Sequence, residues 1–348
     1  MSYTIESCQG TDEECRELSE FLAEFIADGE GPQGDPRERT PELWMTRIRA
    51  WWETNPFCRE DSPRELVVRT DDGTIVGFFG FIPHDYVHHG EVVRGLIATT
   101  SHVREAHRGA ALPLFVKAHR QEVDYHFTDG APNKAIYPIP ERFGYHQRNS
   151  ARMHIYPVSA SVSNPVRWAT GVARLFTGLS DQLPEDGSII TDPLEATSCA
   201  SFPDSKLRRE VTLESLSWYL RSGSNPHYFV GWCDENGVLQ SYVLGFRRKK
   251  SIVDAVIVAD YAFANEEAER TLKRLISRVT KTPAQFGLPA SVSLVVWPTC
   301  DEELEAGTPF SREFDPRLFY RLPQSSGDLV REDLGRVTRT GPPSMIVW

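Results

Sequence analysis

Hydrophobic positions recur along this chain with two spacings, one typical of helices and one typical of strands. Between residues 12 and 56, apolar residues repeat at helical spacing on two faces, at 18–26 and 43–52. A loop rich in Gly, Pro and Asp at 28–36 separates these two faces. The pattern therefore predicts helices on both sides of that loop.

Strand-like runs follow the helical region. Residues 65–69 and 75–81 flank an Asp72-Gly73 turn, and Asp-Gly between β-rich runs is a strong hairpin signal. A second strand pair, a helix and a strand are then predicted at 85–103, 112–119 and 125–128.

The second half of the chain repeats this order of elements. A hairpin at 228–246 with Gly237 in its turn leads to a strand at 252–259. A helix that Asn265 is placed to cap and a strand at 292–297 complete the series. We interpret the repeat as a structural duplication, and two unrelated segments of similar order are the alternative.

A segment rich in Ser, Pro and Gly lies between the two halves. We therefore predict a first domain at 1–156, a linker at 157–201 and a second domain with a C-terminal tail at 202–348. The tail ends in the apolar run 345–348, which we expect either to fray or to dock on the body.

Composition and charge narrow the class of protein. The 348 residues suffice for two domains, and the net charge of -11 argues against binding to nucleic acid. No apolar run approaches a membrane span, and no signal peptide is visible, so we expect no membrane association. The six cysteines are scattered without a CxxC pair, which favours reduced thiols in a cytoplasmic protein, and we expect no metal site.

The most informative segment runs from Val103 to Leu114. It joins a strand to a helix through the dipeptide Arg108-Gly109. The N–H groups of a first helical turn and the positive end of the helix dipole favour an anion at such a place. The segment therefore predicts a site for a phosphate-bearing cofactor.

This segment resembles the cofactor motif of the GCN5-related N-acetyltransferase (GNAT) superfamily, written V-x-P-x-Y-R-G-x-G-x-G/A. Val103 and Arg108-Gly109 match the pattern, whereas Ala111 and Pro113 replace its last two small residues. A later segment, 133–145, is similar to the family's N-x-x-A and E-K-x-G-F elements. The resemblance covers residues 10–148, and the second half resembles a degenerate copy, so it implies the tandem two-domain form.

The resemblance implies an α/β (α+β) fold with two tandem GNAT-like domains. Each would be a mixed, mostly antiparallel twisted sheet flanked by helices. The implied activity is transfer of an acyl group from acetyl-CoA or another acyl-CoA to an amine. The amine would belong to a small molecule or a peptide, and the sequence leaves the acceptor and the oligomeric state open.

The resemblance also implies particular site residues. Those expected to bind the cofactor are Ser101, His102, Val103, Arg108, Gly109, Ala110, Ala111, Leu112 and Asn133. Pro140 stands where the family usually has its general acid, and Tyr137 is the nearby substitute. His102 and Asp129 are candidate bases, and structural roles for all three candidates are the alternative.

Two rival functions share the fold. One is a Fem-type transferase that uses aminoacyl-tRNA, which the net charge of -11 disfavours. The other is a non-catalytic binding or scaffold protein, which the prolines at 113 and 140 favour. The second half has no Arg-Gly pair, and Glu266 and Glu267 stand at its helix start, so we expect no cofactor there.

Overall fold

The computed structural model of the chain contains two mixed sheets flanked by helices. It describes residues 2–8, 10–29, 36–88, 90–121, 123, 125–129, 141–148, 151–159, 166, 180–203, 208–222, 226–250, 252–299, 310–314 and 318–321. Within these residues the α-helices with both ends described are α1 (Asp12–Ala27), α2 (Pro41–Ile48), α3 (Ala111–Ala118), α4 (Leu213–Ser222) and α5 (Glu266–Lys281). None of these described helices is long and apolar enough to cross a membrane.

The strands alternate with these helices along the chain. They are β1 (Tyr3–Glu6), β2 (Glu65–Thr70), β3 (Ile75–His88), β4 (Glu91–Val103), β5 (Tyr125–Asp129), β6 (His146–Arg148), β7 (Ala151–Pro157), β8 (Gly187–Ile190), β9 (Ser198–Cys199), β10 (Arg208–Arg209), β11 (His227–Asp234), β12 (Val238–Lys250), β13 (Val253–Phe263), β14 (Leu294–Thr299), β15 (Ser311–Phe314) and β16 (Leu318–Arg321). Both predicted hairpins, the strands that follow them and the helix after Asn265 are confirmed.

Each sheet is mostly antiparallel, with one parallel pair of long strands. The first has the order β1-β2-β3-β4-β5-β16-β6, with β10 added to β3. The second has the order β15-β7-β14-β13-β12-β11-β8, with β9 added to β12. In each sheet the parallel pair follows the hairpin, as β4 with β5 and as β13 with β14. The repeated order predicted from the sequence therefore extends to the strand pairing.

Three strands cross the domain boundary that the sequence predicts, and one of them is β10, which pairs with β3 in the first sheet. Strand β7 precedes the expected linker, yet it pairs with β14 in the second sheet. Strand β16 comes from the C-terminal part, yet it pairs with β5 and β6 in the first sheet. The domains at 1–156 and 202–348 remain a prediction, and each sheet contains strands from the other side of that division.

Capping residues define where the two longest described helices begin. Thr11 and Glu14 form a capping box at α1, in which the Glu14 N–H donates to Thr11 Oγ1 over 3.3 Å and the Thr11 N–H donates to Glu14 Oε2 over 3.0 Å. At α5, the Ala268 N–H donates to the Asn265 side-chain oxygen over 3.0 Å. Both helices begin with several carboxylates, which complement the helix dipole.

One large core joins the two halves of the chain. It contains side chains of α1 and α2 together with side chains of α4, β11 and β12. Trp218 on α4 donates from its indole Nε1 to the carbonyl oxygen of Ala50 over 2.9 Å. Smaller cores lie under α3 on the first sheet and under α5 on the second. The halves are therefore packed on each other through shared apolar side chains.

Glu65 at the start of β2 is a buried carboxyl group that makes stability depend on pH. Its Oε1 accepts from the Cys8 N–H over 2.8 Å, and its Oε2 has no hydrogen-bond partner. Burial raises the pKa of Glu65 from 4.5 to about 7. The folded state therefore holds this proton more tightly than the unfolded state does, and stability falls as pH rises from about 4.5 to about 7.

We expect Glu65→Gln to remove this part of the pH dependence, because the amide keeps an acceptor oxygen and does not ionise. Relative to the wild type, the variant should gain about 3 kcal/mol of unfolding free energy between pH 4 and pH 8. Urea unfolding at several pH values measures this gain. The exposed Glu13→Gln change is the control, and parallel pH profiles for wild type and Glu65→Gln would contradict the prediction.

Candidate functional site

The parallel strands β4 and β5 separate partway along the first sheet. Their pairing runs from Gly95 with Tyr125 to Ala98 with Thr128. Beyond Ala98, β4 continues to Val103, whereas β5 ends at Asp129. Backbone groups of β4 past this point lack a β5 partner among the described residues, so the sheet opens at its centre.

A β-bulge marks the point of separation. Phe81 pairs with Ala98 and Phe79 pairs with Ser101, so Thr99 and Thr100 together face the one residue Gly80. The hydroxyl groups of both threonines are buried and have no hydrogen-bond partner. A buried hydroxyl without a partner costs about 1–3 kcal/mol, so the bulge places two unpaired polar groups beside the opening of the sheet.

The Arg-Gly turn begins directly after β4. Residues Glu105–Ala110 form a 3₁₀ turn that ends at α3, and no side chain caps the helix N-terminus. Ala110 is buried under the helix, whereas Ala111 and Leu112 are exposed on its first turn. The start of α3 is thus open to an anion from solvent, although Pro113 contributes no N–H group.

The side chains of the turn leave space for a ligand. Arg108 is exposed, and its guanidinium contacts Glu105 Oε1 at 3.1 Å in a pair that solvent screens. No atom lies within 4 Å of the position that a Cβ on Gly109 would take. A phosphate group could therefore approach the backbone at Gly109, with Arg108 beside it.

His102 does not have the environment of a general base. Its ring stacks on Phe25 of α1, with ring centroids 4.4 Å apart. Burial lowers the pKa of His102 to about 4, so the ring is neutral at pH 7 and accepts protons weakly. The packing role, left open by the sequence, fits this geometry better than a catalytic one.

The other predicted site residues differ in their exposure, and some lie outside the described part of the chain. Ser101 is exposed on β4 just after the bulge, and Val103 is half-buried against the core under α3. Asp129 ends β5 and pairs with Leu318, but its side chain lies outside the described residues. Asn133 and Tyr137 also lie outside the described residues. The structure therefore brings Ser101 to Leu112 into one continuous strand-turn-helix surface.

The second sheet has the same opening, but a buried ion pair fills it. The parallel pairing of β13 with β14 ends at Ile257, and a bulge follows before Asp260 pairs with Leu244. Asp260 thus occupies the position that Ser101 has in the first sheet. Arg209 on β10 contacts Asp260 Oδ1 at 3.1 Å and donates to the Ala259 carbonyl oxygen over 3.1 Å.

Three features of the fold and the site could not be recognised in the sequence. The bulge at Thr99 and Thr100 has no signature of its own, although a Thr-Thr-Ser run in a strand was visible. The contact between Arg209 and Asp260 joins residues 51 positions apart that belong to different sheets. Strand β16 lies in a stretch where the sequence showed no clear alternation.

Comparisons with known proteins identify the fold. No family model matches the chain, and no curated protein matches it by sequence. A conserved protein from Enterococcus faecalis V583, described as a probable N-acyltransferase, superposes with a TM-score of 0.57 at 12% identity over 92% of this chain and 73% of that one. A GCN5-related N-acetyltransferase from Anabaena variabilis ATCC 29413 superposes with a TM-score of 0.53 at 11% identity over the same shares.

Each of these two superpositions covers 92% of this chain. At such low identity they establish the fold and leave the substrate unassigned. The chain has the fold of the GCN5-related N-acetyltransferases.

Proposed function

We propose that this protein is an N-acyltransferase that moves an acyl group from acetyl-CoA or another acyl-CoA to an amine. The acceptor would be a small molecule or a peptide. One observation supports this most directly: strand β4 carries a sheet opening and a bulge with two unpartnered hydroxyls, and then leads into an uncapped helix N-terminus. An elongated donor with phosphates at one end and a reactive carbonyl at the other fits that order of features.

Different residues along this surface would bind different parts of the acyl donor. The first turn of α3 and Arg108 would hold the phosphates, because both present positive charge to solvent. The backbone of β4 after Ala98, which has no β5 partner among the described residues, would hydrogen-bond the amide groups of the donor arm. Thr99 and Thr100 would donate their hydroxyl groups to the carbonyl region.

When bound, acyl-CoA supplies an activated acyl group as a thioester. In the transfer, the amine nitrogen forms a bond to the thioester carbonyl carbon and the carbon–sulfur bond breaks. The amine loses a proton and the departing thiolate gains one. Asp129 and Tyr137 remain the candidates for these proton transfers, while His102 is assigned to packing.

We expect Thr100→Val to lower turnover and, at the same time, to raise the stability of the fold. Valine keeps the shape and removes the unpartnered hydroxyl, so the unfolding free energy should rise by about 1 kcal/mol. Turnover should fall, with kcat/KM for the acyl donor lowered about tenfold. Free-thiol release from acetyl-CoA across a panel of amines measures turnover, and urea unfolding measures stability.

Thr271→Val is the matched control, since Thr271 on α5 is also a buried threonine but lies in the second half. The control should leave turnover unchanged. A Thr100→Val protein as active as the wild type would remove the threonine hydroxyls from the proposed site.

A non-catalytic role is the second candidate, favoured by the position of Pro113 and by the packing of His102. Such a protein would bind CoA or acyl-CoA without releasing free thiol over the amine panel. Saturable binding with no turnover in the wild type would therefore favour a binding or scaffold role on the same fold.

A further inference from the structure

Arg104 joins the last residue of β4 to the turn at Glu105–Ala110. Its backbone N–H donates to the Val76 carbonyl oxygen over 2.9 Å, and its own carbonyl oxygen accepts from the His107 N–H over 2.9 Å. Its φ of -55° and ψ of 142° lie in the extended region of the backbone map. The direction in which the turn leaves the first sheet is therefore set at this residue.

The side chain of Arg104 lies against α1. Its Nη1 donates to Asp28 Oδ2 over 2.9 Å, and its Nη2 donates to Glu24 Oε2 over 3.2 Å. Arg104 Cζ also lies 5.5 Å from the centroid of the Phe21 ring, within the range of a cation–π contact. Two carboxylates and one aromatic ring of the α1 region thus contact a single side chain at the start of the turn.

Other contacts hold the turn between α1 and β1. His102 lies two positions before Arg104, so the two residues share a face of the extended backbone. The His102 ring stacks on Phe25 of α1, with ring centroids 4.4 Å apart. On β1, the Tyr3 hydroxyl lies 3.4 Å from His107 Nδ1 within the turn. The turn therefore contacts an element on each side.

The two arginines at this turn have different surroundings. The side chain of Arg108 is 74% exposed, whereas that of Arg104 is 22% exposed and contacts the α1 carboxylates. Glu24 and Asp28 are themselves exposed, so each ion pair contributes little to the stability of the whole fold. Together the pairs fix the local geometry of the turn, and a preorganised geometry strengthens binding.

We infer that Arg104 is a positioning residue for the donor site. Its contacts with Glu24 and Asp28 hold the turn in the geometry that binds the donor phosphates. The inference rests on the proposed function, and it gives Arg104 a role different from that of Arg108, which would contact the phosphates directly. Loss of the two α1 carboxylates should therefore have the same effect as loss of Arg104.

Isothermal titration of CoA into full-length variants tests this inference. Arg104→Met should weaken CoA binding about fivefold, because it removes both ion pairs and keeps the length of the stem. Glu24→Ala combined with Asp28→Ala should also weaken CoA binding about fivefold, although it removes two negative charges near the phosphates. All three changes together should weaken CoA binding no further than Arg104→Met does, because the same contacts are lost.

Charge alone predicts the opposite sign for the carboxylate variant. If Arg104 contacted the phosphates itself, loss of Glu24 and Asp28 would release its charge and tighten CoA binding. Tighter or unchanged binding by that variant would therefore overturn the inference. Glu13→Ala combined with Glu20→Ala is the matched control, since it removes two exposed carboxylates from α1 and should bind CoA as the wild type does. An equal loss in this control would also overturn the inference.

Turnover separates positioning from damage to the fold. When free-thiol release is assayed, Arg104→Met should raise KM for the acyl donor about fivefold and leave kcat within about twofold, because it changes the phosphate turn and leaves the bulge of β4 intact. Its thermal midpoint should stay within about 3 °C of the wild type. A fall in kcat without a rise in KM would overturn the inference.

Hydrogen exchange of the ligand-free protein distinguishes failure of this inference from failure of the proposed function. Arg104→Met should raise exchange about tenfold in peptides that cover residues 103–112, where the His107 N–H donates to the Arg104 carbonyl oxygen. Unchanged exchange there would overturn the inference and leave the proposed function standing. A wild type that binds no CoA would overturn the proposed function, and the role of Arg104 in donor binding would fall with it.

Discussion

Arg209→Met should lower the unfolding free energy by about 3–5 kcal/mol, one of the largest losses that a single change can produce here. The Arg209 and Asp260 side chains are 4% and 11% exposed. Tyr242 on β12 also donates to Asp260 Oδ2 over 2.8 Å. The carboxylate therefore has one partner in the second sheet, Tyr242, and one on β10 of the first sheet, Arg209. Methionine matches the length of the arginine stem but leaves the charge of Asp260 buried without its cation.

Urea unfolding of three further proteins tests this explanation. The double variant Arg209→Met with Asp260→Leu should recover most of the loss, because it removes both charges from the interior. Arg221→Met breaks the exposed pair with Asp192, whose side chains are 49% and 39% exposed, and should cost less than about 1 kcal/mol. If Arg209→Met cost no more than Arg221→Met, the ion pair would not be what closes the second sheet.

Gly109→Glu should weaken acyl-CoA binding about 30-fold or more while leaving the fold intact. A Cβ at Gly109 meets no atom within 4 Å, and its φ is not among the positive values of the chain. The unfolding free energy should therefore change by less than about 0.5 kcal/mol. The new carboxylate would stand beside the donor phosphates at the start of α3, where like charges repel.

Gly109→Gln is the matched control, since it adds the same bulk without the charge. We expect it to weaken binding far less than Gly109→Glu does, as measured by isothermal titration with acetyl-CoA. Equal affinities for the wild type and Gly109→Glu would show that the phosphates do not bind at this turn.

Much of the architecture could be predicted from local signals. Turn glycines, the cap at Asn265 and alternating strands act over a few residues, so the hairpins and helices could be located from the sequence. The Arg-Gly turn could also be found, because a strand, a turn and a helix start occur together at Arg108. These signals located the elements, and the resemblance of residues 103–145 to the GNAT motifs implied the fold that the structural comparisons support.

Features that depend on distant contacts could not be predicted in the same way. The bulge at Thr99 and Thr100 arises from register against β3, and register is a property of two strands together. The pairing of β16 with β5 joins residues almost 200 positions apart. The packing of His102 on Phe25 depends on where α1 crosses the sheet, so the sequence could not decide between a base and a core residue.

Binding of an acyl-CoA at the turn that follows β4 is the step on which the whole proposed function depends. Isothermal titration of acetyl-CoA and CoA into the full-length protein, repeated with Arg108→Glu, tests it most directly. We expect saturable binding with one site per chain, weakened about tenfold or more by Arg108→Glu. Absence of binding to the wild type, or binding that Arg108→Glu leaves unchanged, would contradict it.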